Sequence, residues 1–127
     1  MKRTVLLLLL SFTTSLLFSQ TYNIWSLGAD GAWNVDGNWS LGHIPTENEV
    51  ARNNTAFLIT VPAGYDAVCA GMQSQSSGKL TIEATASLTV TQDDDSGGIY
   101  GLDIRGVDCV YTNNGTHIVN GKPAGGR

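Results

Sequence analysis

Several groups of residues in this chain have the types and spacing to do chemistry. Asp93, Asp94 and Asp95, followed by Ser96, Gly97 and Gly98, form its densest acidic cluster. Oxygen-rich loops of that kind can hold calcium, which takes ~6–8 oxygen ligands, but consecutive residues of an extended loop point different ways, so a solvated turn is the simpler reading. Asp30, Asp36 and Asn38 repeat the idea more weakly. Trp25, Trp33 and Trp39 fall in one short stretch. They could stack on the rings of a glycan, or instead shield an apolar edge of the fold. Lys79, Asp103 and Arg105 could supply the base and carboxylate of a polysaccharide lyase, and only His43 and His117 titrate near neutrality without help. Catalysis needs such groups to converge in a pocket, and this chain offers few, so no enzyme is expected and no cofactor beyond calcium.

The elements that must position these residues begin after an apparent leader. Residues 1–20 open with Lys2 and Arg3, continue through the apolar run from Val5 to Leu10, and close on a mixed stretch ending at Ser19 and Gln20. That is the order of regions in an export signal. Ser11, Thr13, Thr14 and Ser15 break the apolar run short of the ~20 residues needed to span a bilayer, so a secreted or cell-surface protein with no transmembrane segment is expected. Losing Lys2 and Arg3 leaves five of the 7 basic residues against 11 acidic ones, a net charge of −6. Such a surface repels a phosphate backbone, which excludes nucleic acid as a natural partner. All 15 glycines follow the leader, among abundant Ser, Thr and Asn. The composition is that of a turn-rich, all-β chain.

Residues 21–48 carry the tryptophans and the turn signals Asp30-Gly31 and Asp36-Gly37-Asn38, and read as a Trp/Gly-rich N-terminal cap ended by Pro45. Residues 49–121 hold short apolar stretches with alternating polar residues, as in Leu80-Thr81-Ile82 and Leu88-Thr89-Val90. Offsets between them cluster near 21: Val61 to Ile82, Cys69 to Val90, Leu80 to Leu102 and Ile82 to Ile104. A constant offset is the signature of a β-solenoid, whose coils stack like on like. About three coils are expected, with Leu80, Ile82, Leu88, Val90, Leu102 and Ile104 inward and Ile82 beside Ile104. An antiparallel β-sandwich is the competing arrangement. In an exported chain Cys69 and Cys109 would pair by default. Stacking Cys69, Val90 and Cys109 two coils apart would instead put them ~10 Å apart, beyond bridging distance, and leave buried thiols.

Gly37-Asn38-Trp39-Ser40, then Pro45, then Glu49-Val50 resembles the opening of surface modules in secreted proteins of the Bacteroidetes type. Lys79 to Glu83, Ala86 to Val90, Asn113 to Thr116 and Val119 to Gly121 are similar to their later coils. One domain type of animal surface proteins has a similar layout. Thr85 stands where that pattern usually has glycine. The resemblance implies a right-handed parallel β-helix and an adhesin-like structural role, with other surface proteins or an extracellular glycan as partners. It also implies further coils and a sorting domain. Residues 122–127 are therefore expected to be an unstructured end, and the chain a fragment. A carbohydrate-binding module is the alternative function, and a lyase fragment stands third.

Overall fold

The computed structural model describes residues 20–91 and 101–120. The expected leader ahead of Gln20, the Asp93, Asp94 and Asp95 cluster and residues 122–127 lie outside the described residues.

The strands are short because each holds only two inward side chains between corners. In order they are β1 (Thr21–Ile24), β2 (Gly31–Ala32), β3 (Glu49–Asn53), β4 (Leu58–Val61), β5 (Asp66–Cys69), β6 (Gly71–Gln75), β7 (Lys79–Ile82), β8 (Ser87–Val90), β9 (Leu102–Arg105), β10 (Val110–Asn113) and β11 (Thr116–Val119). They form three sheets, in the orders β1-β3-β6-β9, β2-β4-β7-β10 and β5-β8-β11. Every strand pair is parallel, as a chain winding in one direction requires. The fold is a β-solenoid of three full coils, β3–β5, β6–β8 and β9–β11, and the sandwich alternative is excluded. The first two sheets extend through β1 and β2 into the Trp-rich segment, where a 3-10 turn, Asp36–Asn38, lies between the last two tryptophans.

Alternation within β4, β5, β7 and β8 builds much of the core. In β4, Ile59 and Val61 are fully buried while Leu58 and Thr60 are half-buried. Ile59 stacks on Leu80 and Val61 on Ile82 in the second sheet, and Ala67 on Leu88 and Cys69 on Val90 in the third. Fully burying an aliphatic side chain of this size contributes about 1.5–3 kcal/mol, so these columns hold the coils together. The corners need unusual backbone. Gly64 supplies it freely at φ 75°, whereas Ser76, Ser77, Thr85 and Asp108 adopt positive φ with a side chain attached.

The expected register holds for one step and fails for the next. Val61 beside Ile82 and Cys69 beside Val90 are as the spacing predicts. Ile82, however, pairs with Asn113 rather than Ile104, and Leu80 with Tyr111 rather than Leu102. Leu102 sits beside Met72 and Ile104 beside Ser74, an offset of 30. The reason is the chain between Thr91 and Leu102. Between coils one and two the chain passes from the third sheet to the first through Ala70 alone, whereas more sequence separates Val90 from Leu102, so Leu102 begins a new coil in the first sheet. Leu80, Ile82, Leu88 and Val90 are buried as expected, but Leu102 is only partly buried and Ile104 is 42% exposed, because they belong to the last coil. Cys109 likewise lies outside the Cys69 column, which continues instead to Val119. Both cysteines are free thiols, Cys69 buried and Cys109 partly so.

Candidate functional site

The tryptophans are drawn together by the turns between them. Trp39 meets Trp25 edge-on at 5.2 Å and Trp33 at 4.9 Å between ring centroids. Offset and edge-to-face contacts of this kind add to simple burial. The Trp39 indole N–H donates to the Trp33 carbonyl at 2.8 Å, and that of Trp25 to the Ala29 carbonyl at 3.2 Å. All three are at most 2% exposed and share one core with Ala51, Ile59 and Leu80. In this arrangement no indole face is open to a sugar, and the rings close the first coil. Asp30 and Asp36 are committed as well: Asp30 Oδ1 accepts from the Leu58 amide at 2.7 Å, and Asp36 Oδ1 from the Ile44 amide at 2.9 Å. Asn38 donates to the Ala32 carbonyl at 2.9 Å. These three residues pin turns to strands, and no group of three or more metal-ligating side chains occurs among the described residues.

A network that sequence reasoning missed centres on Glu49. The segment from Trp39 to Pro45 crosses the free edge of β1, with the Ser40 amide donating to the Ile24 carbonyl and the Ile24 amide to Ser40 Oγ. Asn23, fully buried, donates to the His43 carbonyl at 2.8 Å and to Glu49 Oε2 at 3.1 Å, and accepts from the Leu41 amide. Glu49 Oε2 also accepts from the Thr46 amide, and Oε1 lies 2.8 Å from His43 Nε2. The hydrogen bond to Glu49 raises the His43 pKa above its ordinary 6.5, against a smaller opposing effect of burial. Burial pushes the Glu49 carboxyl up, but the hydrogen bonds from His43, Thr46 and Asn23 outweigh it and hold the group below 4.5. Only the motif position of Glu49 was visible in sequence, because Asn23 lies 26 residues away from it.

The outward face of the first sheet carries a second polar ladder. The Arg52 guanidinium lies 3.7 Å over the Tyr22 ring and donates to Gln73 Oε1 through Nε and Nη2 at 3.0 and 2.8 Å. On β9, Arg105 Nε donates to Asp103 Oδ1 at 2.8 Å, while Asp103 Oδ2 is buried without a partner. Lys79 stands in the second sheet, in register with Val110, so the structure does not bring it onto one sheet with Asp103 and Arg105. An open hollow of about 520 Å³ is lined by Gln75, Ser76, Ser77, Arg105, Gly106 and Val107. His43 is in the strap described above. His117 points inward in the last coil, its ring 5.7 Å from that of Tyr111, and burial lowers its pKa. No helix among the described residues is long and apolar enough to cross a membrane. Comparison of the chain with protein-family models, with curated proteins and with solved structures gave no match in any of the three.

Proposed function

We propose that the chain is a non-catalytic, adhesin-like structural module of a secreted or cell-surface protein, meeting other surface proteins or an extracellular glycan. One observation supports this reading above the others: most of the acidic side chains among the described residues are spent on holding the solenoid together. Asp30, Asp36, Glu49, Asp66 and Glu83 each accept a hydrogen bond from a neighbouring turn, coil or strand of this chain. A catalytic carboxylate has to face substrate in a pocket, whereas these are occupied by the fold itself. The leader-like residues 1–20 support export, and the polar outward ladders suit a rigid spacer in water.

The glycan-binding and lyase readings are tested together. The chain is mixed with a panel of neutral and acidic polysaccharides while tryptophan fluorescence and the ultraviolet absorbance of unsaturated sugar products are followed. A structural module leaves both signals unchanged. Fluorescence change without product would favour glycan binding, and product formation lost on Lys79→Ala or Arg105→Ala would favour a lyase. Protease treatment of intact cells, releasing fragments of this chain, checks the surface location.

A further inference from the structure

We propose that Asn114 is a site of spontaneous deamidation, held in check in the folded chain by the side chain of Asn113. Asn114 and Gly115 make up the whole corner between β10 and β11, where the coil before has four residues, 83–86. Packing demands glycine at 115: a Cβ there would collide with the main-chain oxygens of Glu83 and Ala86 and press on the Ile82 side chain. With no side chain of its own, glycine also leaves its amide nitrogen unshielded. The residue that packing requires is therefore the one that makes the preceding asparagine most reactive.

The reaction needs no partner beyond water. The Gly115 nitrogen gives up its proton and attacks Asn114 Cγ. The new C–N bond closes a succinimide ring as the Cγ–Nδ2 bond breaks, and ammonia leaves with that proton. Water then opens the ring at either carbonyl, to aspartate or to isoaspartate, and nothing is oxidised or reduced. Either product adds negative charge, and isoaspartate also lengthens the main chain by one carbon in a corner with no slack. In the fold, three hydrogen bonds oppose the first step. The Gly115 N–H, on the attacking atom itself, donates to Asn113 Oδ1 at 3.1 Å. On either side, the Asn114 amide donates to the Ile82 carbonyl at 2.9 Å and the Thr116 amide to the Ala86 carbonyl at 3.0 Å, both on the second coil. Attack requires the Gly115 peptide to swing over the Asn114 side chain, which takes its N–H away from Asn113 and strains the two anchors. Losing one hydrogen bond of ordinary strength on the way to the transition state slows a reaction about twofold to tenfold. Asn113 is thus a positioning residue: it holds the attacking nitrogen and takes no part in the bonds that form and break.

Mass spectrometry of the peptide that contains Asn114, with isoaspartate resolved by chromatography, follows the conversion during incubation in mildly alkaline buffer. The parent, Asn113→Ala and Asn113→Asp are compared folded and in guanidinium chloride, with circular dichroism and tryptophan emission to establish folding. In denaturant all three should convert at one rate, since only the Asn-Gly pair remains. Folded, the parent should be slower than in denaturant by at least about tenfold, and Asn113→Ala faster than the folded parent by about twofold to tenfold. Asn113→Asp, which keeps an acceptor for the Gly115 N–H, should stay close to the parent. A folded parent converting as fast as the denatured chain would overturn the proposal, and this comparison stands alone should Asn113→Ala not fold. A folded Asn113→Ala no faster than the parent, or Asn113→Asp as fast as Asn113→Ala, would overturn it equally.

Discussion

Replacing Glu49 by alanine should loosen the strap across β1 and with it the tryptophan cap. Glu49 is 9% exposed, and its carboxylate accepts from Asn23, Thr46 and His43. Alanine leaves the Thr46 amide and one hydrogen of the fully buried Asn23 amide without an acceptor, while Asn23 keeps its bond to the His43 carbonyl. A buried donor left unsatisfied costs about 1–3 kcal/mol, and since the Thr46 amide is at an exposed residue and can turn to water, the loss is about 1–3 kcal/mol, carried by Asn23. For a domain of this size each kcal/mol moves the thermal midpoint by roughly 4–8 °C, which makes the shift easy to read. Glu49→Gln keeps an acceptor and should fall between the two. The pH dependence has a definite sign. His43, raised above 6.5, adds stability that is complete below that value and lost as pH rises through its folded pKa. Glu49, lowered below 4.5, adds stability that is present above that value and lost as pH falls through its folded pKa. The strap is therefore tightest between those two values, with Asp36 adding a further favourable charge for His43. Thermal melts followed by tryptophan emission across this range, for the parent, Glu49→Ala and His43→Ala, measure it. If Glu49→Ala moved the midpoint by less than about 3 °C, or His43→Ala kept the parent's alkaline decline, the account of the strap would be wrong.

Thr85 holds φ 67° at an exposed corner, a backbone region that costs a β-branched residue about 1–2 kcal/mol, partly offset by the flexibility glycine brings to the unfolded chain; Thr85→Gly should raise stability by about 0.5–1 kcal/mol in urea melts. Trp39→Ala should lower stability by about 3–5 kcal/mol, because it opens a cavity where both other indoles make their ring contacts; a loss below about 1 kcal/mol would mean that the cap is not part of the cooperative unit. Burial pushes the Cys69 thiol up to about 12, so iodoacetamide should spare Cys69 until the protein unfolds, whereas Cys109, partly exposed, should label in the native state; mass spectrometry of the two peptides reads the order.

The sequence by itself determined the class of fold and much of its interior. Two inward side chains per short stretch, glycine and serine corners, and an offset of 21 between Val61 and Ile82 or Cys69 and Val90 need only local physics and repetition; they favour the parallel solenoid, and the parallel strand pairing in the structure sets aside the competing sandwich. It also marked the tryptophan stretch as a unit. What it could not carry was register across an irregular turn. Leu80 to Leu102 and Ile82 to Ile104 have nearly the same spacing as true neighbours, yet the longer turn after Thr91 puts Leu102 at the start of a coil instead of its middle. Alternation is the same in β4 and β7 of the second sheet as in β5 and β8 of the third, so periodicity cannot distinguish sheets. Nor could sequence choose between tryptophans that stack on sugars and tryptophans that close a coil, since the same amphipathic ring serves both. Only tertiary structure brings Asn23, His43 and Glu49 together across the free edge of β1 and buries the three indoles, because these contacts join residues far apart in the chain.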